Sequence, residues 1–316
     1  MNKKIVVIGG GNGTFVALQS IVKNIDDVEL SAVVSVSDSG GSSGKLRQEF
    51  KTIPPSDIVR AVLGLSRHDF LREVFYKTRF KDAGKLSGHN LGNLFLVLGG
   101  QYANDIISAL RALEQAVGAV GHVYPVSLEL GDLCVELDNK EIVRGEAEID
   151  RPSDRSKKIM RAWIDPEINI YDGAKKAIES ADYIILGPGS LYTSIIPNLL
   201  VKGAKEAIMN SHAKLVYITG SAYESDGEAG PEVLSEFAKQ LQSYLPRELD
   251  VLVYSSHECS EEEKKKLGEK CWVQMKIDRE NINNIKSIFG FDFEKYGCGC
   301  DPQKLGPFIK HNILCE

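Results

Sequence analysis

No stretch of 18 apolar residues occurs anywhere in this 316-residue chain, so no membrane-spanning helix is expected. The N-terminus has no secretory core: Met1-Asn2-Lys3-Lys4 is followed by only four apolar residues, Ile5 to Ile8, and then glycines, which points to the cytoplasm. Positive charge is scarce too. Lys and Arg number 38 against 44 Asp and Glu, a net charge of -6, and without a positive field neither nucleic acid nor an anionic membrane is an expected partner. Six cysteines are too few for a disulfide scaffold. Cys298 and Cys300 form a C-x-C and Cys315 lies near the end, yet a zinc site wants paired ligand clusters, so reduced thiols are expected. What the chain does have, 43% hydrophobic and 26% charged residues, suits a globular fold with a sizeable core.

A repeated pattern of short apolar strand, glycine-rich turn and helix runs through the chain. Strands are expected at 5–8, 30–36, 183–186, 215–219 and 251–254, and helices at 14–23, 57–65, 91–99, 103–115 and 231–245. Such alternation argues for an α/β fold, a doubly wound and mostly parallel sheet covered on both faces. From 122 to 150 the pattern reads instead as antiparallel β, with strands at 123–130 and 133–137. A tight turn at Asp138-Asn139-Lys140 and a return at Ile142-Val143 follow. We read 1–316 as one domain carrying this excursion. The charged run 261–266 reads as a solvated helix face.

Strand C-termini of a parallel sheet share one edge, and ligands bind there. Four glycine- or hydroxyl-rich steps fall on it. Gly10, Gly11, Asn12 and Gly13 open the first helix, where backbone N–H groups and the helix dipole suit a phosphate. A dinucleotide fingerprint fails here, because Thr14 stands where the third glycine belongs, so neither NAD nor flavin is expected. The first loop alone is also explained as a tight turn. In the second step Asp38 offers a carboxylate for Mg²⁺, Ser42 and Ser43 offer hydroxyls and Lys45 a positive charge. Asp57, after Pro54-Pro55-Ser56, is either a helix cap or a second metal-binding carboxylate. Asn90 and Asn93 share a helix face able to read a base or sugar, although capping explains Asn90 and a structural role suits His89. The fourth step, Gly187-Pro188-Gly189-Ser190 with Thr193, would close on a phosphate.

In this order these stretches resemble the CofD/YvcK superfamily, most of all its YvcK, gluconeogenesis-factor-like type. The matching pieces are 9–13, 37–46, Pro54 to Asp57, Gly88 to Asn93, Gly145-Glu146 and 187–200, GPGSLYTSIIPNLL. The resemblance implies a Rossmann-like fold with a nucleotide-type site at the strand C-termini. It further implies a cytosolic regulator that binds a UDP-type nucleotide sugar and is tied to carbon metabolism, cell-wall growth and cell shape. The alternative it carries is a CofD-like, Mg²⁺-dependent transfer of a phospholactyl-type group from a nucleotide diphosphate conjugate. A third possibility is a protein adaptor with a vestigial pocket, and homo-oligomerisation stays open. Several positions depart from the family pattern: Asn12 for Thr, Ser39 for a second Asp, Lys45 for Arg, and Ser56, Val59 and Arg60 for Gly, Arg and Asn. The segment 220–230 does not match the family's usual Thr-Gln-Pro-Gly-Glu-Thr.

Overall fold

The computed structural model describes residues 2–82, 84–103, 105–295 and 299–314; Cys298 and Cys315 lie outside the described residues. Among the described residues twelve strands are formed: β1 (Lys3–Gly9), β2 (Val28–Val34), β3 (His122–Pro125), β4 (Asp132–Leu137), β5 (Ile142–Arg144), β6 (Ile159–Asp165), β7 (Tyr183–Leu186), β8 (Lys214–Ile218), β9 (Ala222–Glu224), β10 (Val251–Ser255), β11 (Trp272–Gln274) and β12 (Ser287–Phe291). Seven make a central sheet in the order β12-β10-β8-β7-β1-β2-β3, with every pairing parallel. Where β1 and β7 pair, Ile5 to Ile8 against Tyr183 to Leu186, every residue is apolar, and Ile5, Val7, Ile184 and Ile185 are fully buried. That follows from cover on both faces, which leaves no polar side to alternate with.

Helices form where periodicity and turn residues place them: Gly11–Asn24, Ser56–Gly64, Leu91–Ala103, Ile106–Ala116 and Leu234–Tyr244. The first buries Phe15, Leu18, Ile21 and Val22. The C-terminal helix Pro302–Asn312 closes against it at Gly306, where a Cβ would lie 2.3 Å from the Ser20 carbonyl oxygen. The charged run becomes the helix Glu261–Gly268, begun by a reciprocal Ser260–Glu263 capping box.

Two expectations need correction. Residues 123–130 do not start the antiparallel excursion: β3 joins the edge of the central sheet, parallel to β2, with Ala32 opposite Val123. An edge strand is covered less completely, so it alternates as an antiparallel strand would, and Pro125 is tolerated there. The excursion is a separate antiparallel sheet in the order β5-β4-β6. It therefore begins later than 122 and runs beyond 150, to the end of β6 at Asp165. Within its turn the positive φ falls on Lys140 rather than on Asp138 or Asn139, while the Asn139 side chain accepts the Glu141 N–H.

Strand order reverses between β1 and β7, the first strands of two halves wound in opposite directions. A crevice opens at such a reversal, outside the strand C-termini. The loops leaving β1 and β7 touch there: a Cβ on Gly13 would stand 2.0 Å from the Pro188 carbonyl oxygen. Glycine at 13 is thus a condition of bringing the two phosphate-type loops together.

Candidate functional site

At this reversal lies a cleft of about 600 Å³. One wall is the start of the helix Gly11–Asn24. Gly10 is extended at the cap, Gly11 has φ +65, and no side chain caps the helix, so its first N–H groups face the cleft. Asp57 lies along this loop: a Cβ on Gly10 would come within 2.7 Å of its Oδ2. Asp57 is not the cap of its helix, since Pro55 holds that position and Asp57 sits in the first turn. Arg60, one turn on, places Nη1 3.6 Å from Asp57 Oδ1, bonds to the Tyr76 hydroxyl and lies over the Tyr76 ring.

Facing this wall is an acidic one. Asp38 follows β2, and its Oδ1 accepts the Gly40 N–H at 2.9 Å. Burial, and next the Asp57 charge, push the Asp38 carboxyl up to about 6. The antiparallel excursion contributes two more acids through the short helix Glu146–Asp150. This helix is docked on the second loop, with Ala147 N–H donating to Ser39 Oγ at 3.0 Å. Burial, and then the charges of Asp38, Asp150 and Asp57, push Glu146 up to about 8. Asp150 is raised as well, mainly by burial. Like charges that cannot all ionise in one dry space form a site short of positive charge. Hard oxygen donors of this kind suit Mg²⁺, which takes one or two carboxylates and keeps phosphate and water as its other ligands. Asp38 and Asp57 would hold it, with Glu146 beside them.

The fourth step has a different occupant from the one expected. Glu228, in the segment that departs from the family pattern, aims its carboxylate at the helical segment Leu191–Ile195. It accepts from Leu191 N–H at 2.7 Å, Tyr192 N–H at 3.0 Å and Thr193 N–H at 3.1 Å. The protein supplies its own anion where a phosphate was expected. Burial pushes Glu228 up to about 7 against the pull of those three N–H donors. The cleft is also lined by Tyr223, Phe237, Trp272 and Met275, and the Arg155 guanidinium lies over the Tyr223 ring.

Of the residues singled out in the sequence, Gly10, Gly11, Asn12, Gly13, Asp38, Asp57, Gly189, Ser190 and Thr193 line this cleft together. Gly187 stands at the root of its loop, with φ +76, and does not line it. Ser42, Ser43, Asn90 and Asn93 are set behind the wall, and Lys45 does not line the cleft either. Asn93 Nδ2 donates to Ser42 Oγ and Ser56 Oγ, Ser43 Oγ to Ser56 Oγ, and Ser42 Oγ meets His89 Nδ1 at 2.8 Å. Asn90 caps the helix Leu91–Ala103 by accepting the Asn93 N–H. The small polar residues pair with one another where three helices converge, while Asn90 Nδ2 and Asn93 Oδ1 have no partner among the described residues. Lys45 points outward from its helix and is exposed. Sequence reasoning missed Arg60, Glu146, Asp150, Glu228 and Trp272 as site residues. Gly145-Glu146 lay among the matching pieces and was the available signal for one of them; Glu228 had none, standing in the one loop that follows no pattern.

Residues 5–288 match the family described as 2-phospho-L-lactate transferase CofD. A gluconeogenesis factor from Bacillus subtilis is 34% identical over 265 residues, 83% of this chain and 82% of that one. A Thermotoga maritima protein provisionally given the same name is 38% identical over 281 residues, 89% of this chain and 88% of that one. Among solved structures, a UPF0052-family protein from Bacillus halodurans superposes with a TM-score of 0.90 at 30% identity, over 98% of this chain and 99% of that one. The cleft at the β1–β7 reversal therefore belongs to a member of the CofD family, of the YvcK-like, gluconeogenesis-factor type.

Proposed function

We propose that this cleft binds a nucleotide diphosphate conjugate, of the UDP-sugar class, and that the protein acts as a cytosolic regulator of carbon metabolism and cell-wall growth. The observation that carries this reading is the pairing of two opposed walls. On one side the uncapped N–H groups of Gly11, Asn12 and Gly13 favour a phosphate. On the other stand Asp38 and Glu146, which together with Asp57 beside Gly10 repel an anion unless a divalent cation lies between. A diphosphate bridged by Mg²⁺ satisfies both walls at once, and the ion would neutralise the charge between phosphate and carboxylate. Tyr223 and Trp272 offer π faces to the base. With Glu228 occupying the N–H groups of Leu191, Tyr192 and Thr193, the fourth step is left for the sugar side through Gly189 and Ser190. NAD is disfavoured by the missing third glycine.

A second reading rests on the same acidic wall. Asp38, Asp57 and Glu146 provide the hard-donor set of metal-assisted group transfer, so a CofD-like transfer from a nucleotide diphosphate conjugate is the alternative. Turnover assays with such a conjugate and Mg²⁺ separate the readings: product release favours the transferase, and tight binding with no turnover favours the regulator. The binding itself is tested by Trp272 fluorescence in a Trp163→Phe background, where UDP-sugar with Mg²⁺ should give a saturable change. A flat titration with every nucleotide sugar removes the proposal.

A further inference from the structure

Away from the nucleotide cleft, the chain leaving β10 carries the run His257-Glu258-Cys259-Ser260, and the helix Glu261–Gly268 follows. The ligand atoms of His257, Cys259 and Glu263 all lie within 4.8 Å of one another. In a tetrahedral zinc site the same atoms would be about 3.3–3.6 Å apart, given metal–ligand bonds of about 2.0–2.3 Å, so a modest side-chain contraction brings them into range.

Each group is oriented for this. Ser260 takes Glu263 Oε2 by its N–H and hydroxyl, which leaves Oε1 turned toward His257 Nε2 at 3.2 Å. The other ring nitrogen, Nδ1, is 3.6 Å from Asp292 Oδ2. A carboxylate behind the histidine is how metal-ligating imidazoles are commonly held in one tautomer. Gln274 clamps the backbone on both sides, donating to the His257 carbonyl and accepting the Cys259 N–H.

A second, independent observation points into the same place. Glu294 is only 5% exposed and its Oε1 has no hydrogen-bond partner among the described residues, although Oε2 accepts the Gly299 N–H. An unpartnered buried carboxylate oxygen is costly. Glu294, His257, Cys259 and Glu263 border one cavity of about 10 Å³, the size of a single small occupant. An ion pair between His257 and Glu263 accounts for neither that oxygen nor the cavity.

We propose that His257, Cys259 and Glu263 bind one zinc-type divalent ion, with the unpartnered carboxylate oxygen of Glu294 bordering the same cavity, a mixed N, S and O donor set suited to a borderline-soft metal. Ser221 and Ala222 border both this cavity and the nucleotide cleft. The ion would fasten the end of β10, the helix Glu261–Gly268 and the chain after β12 beside the segment that carries Glu228. Its role is structural support for one wall of the cleft. Because the thiolate is the ligand, binding releases a proton from Cys259.

The test uses the full chain, stripped with chelator, with Zn²⁺ and Co²⁺ alone as probes. Competition against a chromophoric chelator should show one Zn²⁺ per chain, and Co²⁺ should give a thiolate-to-metal charge-transfer band with tetrahedral d–d absorption. Loss of an outer-shell partner typically costs about 10–100-fold in affinity, so Asp292→Asn should weaken Zn²⁺ by about 10-fold and Cys259→Ser by at least about 100-fold, with loss of the charge-transfer band. Asp38→Asn and Cys271→Ser should leave both readouts unchanged, which separates this site from the nucleotide cleft. Should Cys259→Ser fail to fold by circular dichroism, His257→Gln gives the same affinity readout. No stoichiometric Zn²⁺ binding, affinity unchanged in the folded ligand variant, or a signal lost in Asp38→Asn overturns the proposal.

Discussion

Asp38 and Asn93 both read as ligand residues from their place after a strand or on a helix face, yet the structure puts them in different surroundings. Asp38 opens on the cleft, beside Asp57 and Glu146, and its carboxyl is held up to about 6 by burial and then by Asp57. Asp38→Asn keeps the size and removes the charge. It should abolish the Mg²⁺-dependent part of nucleotide binding and spare the rest, as titrations of both proteins with Mg²⁺ or EDTA will show. Asn93 is fully buried and joins Ser42 to Ser56. Asn93→Ala should cost stability, about 1–3 kcal/mol in urea unfolding, because it strips partners from buried hydroxyls. Unchanged stability with weakened nucleotide binding would return Asn93 to the ligand. The sequence could show that an amide stood at a helix start, but not which way it pointed. Both roles demand the same residue type, and only packing of three helices chooses between them.

Glycine spacing made the elements around the cleft legible, because a strand that must turn straight into a helix leaves few alternatives. The helices starting at Gly11, Ser56 and Leu91 and the strands β1, β7, β8 and β10 lie within a few residues of where periodicity puts them. What failed was the edge strand β3 and the extent of the excursion, since pairing partners are long-range and an edge strand of a parallel sheet alternates like an antiparallel one. The tight approach of two loops yields a prediction at this scale. Gly13→Ala puts a methyl group 2.0 Å from the Pro188 carbonyl oxygen, so the β1 and β7 loops must part. The variant should lose about 1–3 kcal/mol of stability, as overpacked sites do, and nucleotide affinity with it. Equal melting and binding in variant and parent would mean the loops do not need this contact. Glu228 illustrates the opposite case: its capture of the Leu191, Tyr192 and Thr193 N–H groups depends on a loop of no recognisable pattern.

Taken as a whole, the molecule gathers carboxylates at the place where its two halves meet. Asp38, Glu228 and Glu146 bind protons more tightly in the fold than in the unfolded chain, with values near 6, 7 and 8. For a carboxyl raised in this way, stability is fully present below its unfolded pKa and is lost as pH rises through the folded one. Thermal midpoints in EDTA should therefore fall from about pH 4.5, near the unfolded carboxyl values, to about pH 8, and Glu146→Gln should flatten the upper part of that fall. A rising midpoint across this range would contradict the acidic wall. Mg²⁺ with a nucleotide diphosphate should offset the loss, since the ion replaces the protons. This identifies the most direct measurement of the central claim, a thermal-shift comparison of UDP-sugars with NAD at about pH 8, each with Mg²⁺ or EDTA. At 100 times Kd a ligand stabilises the fold by about 2.7 kcal/mol, well within detection. The two-walled cleft predicts a large shift with a UDP-sugar and Mg²⁺, a smaller one with EDTA, and little with NAD; a larger shift with NAD, or one with UDP-sugar indifferent to Mg²⁺, would contradict it.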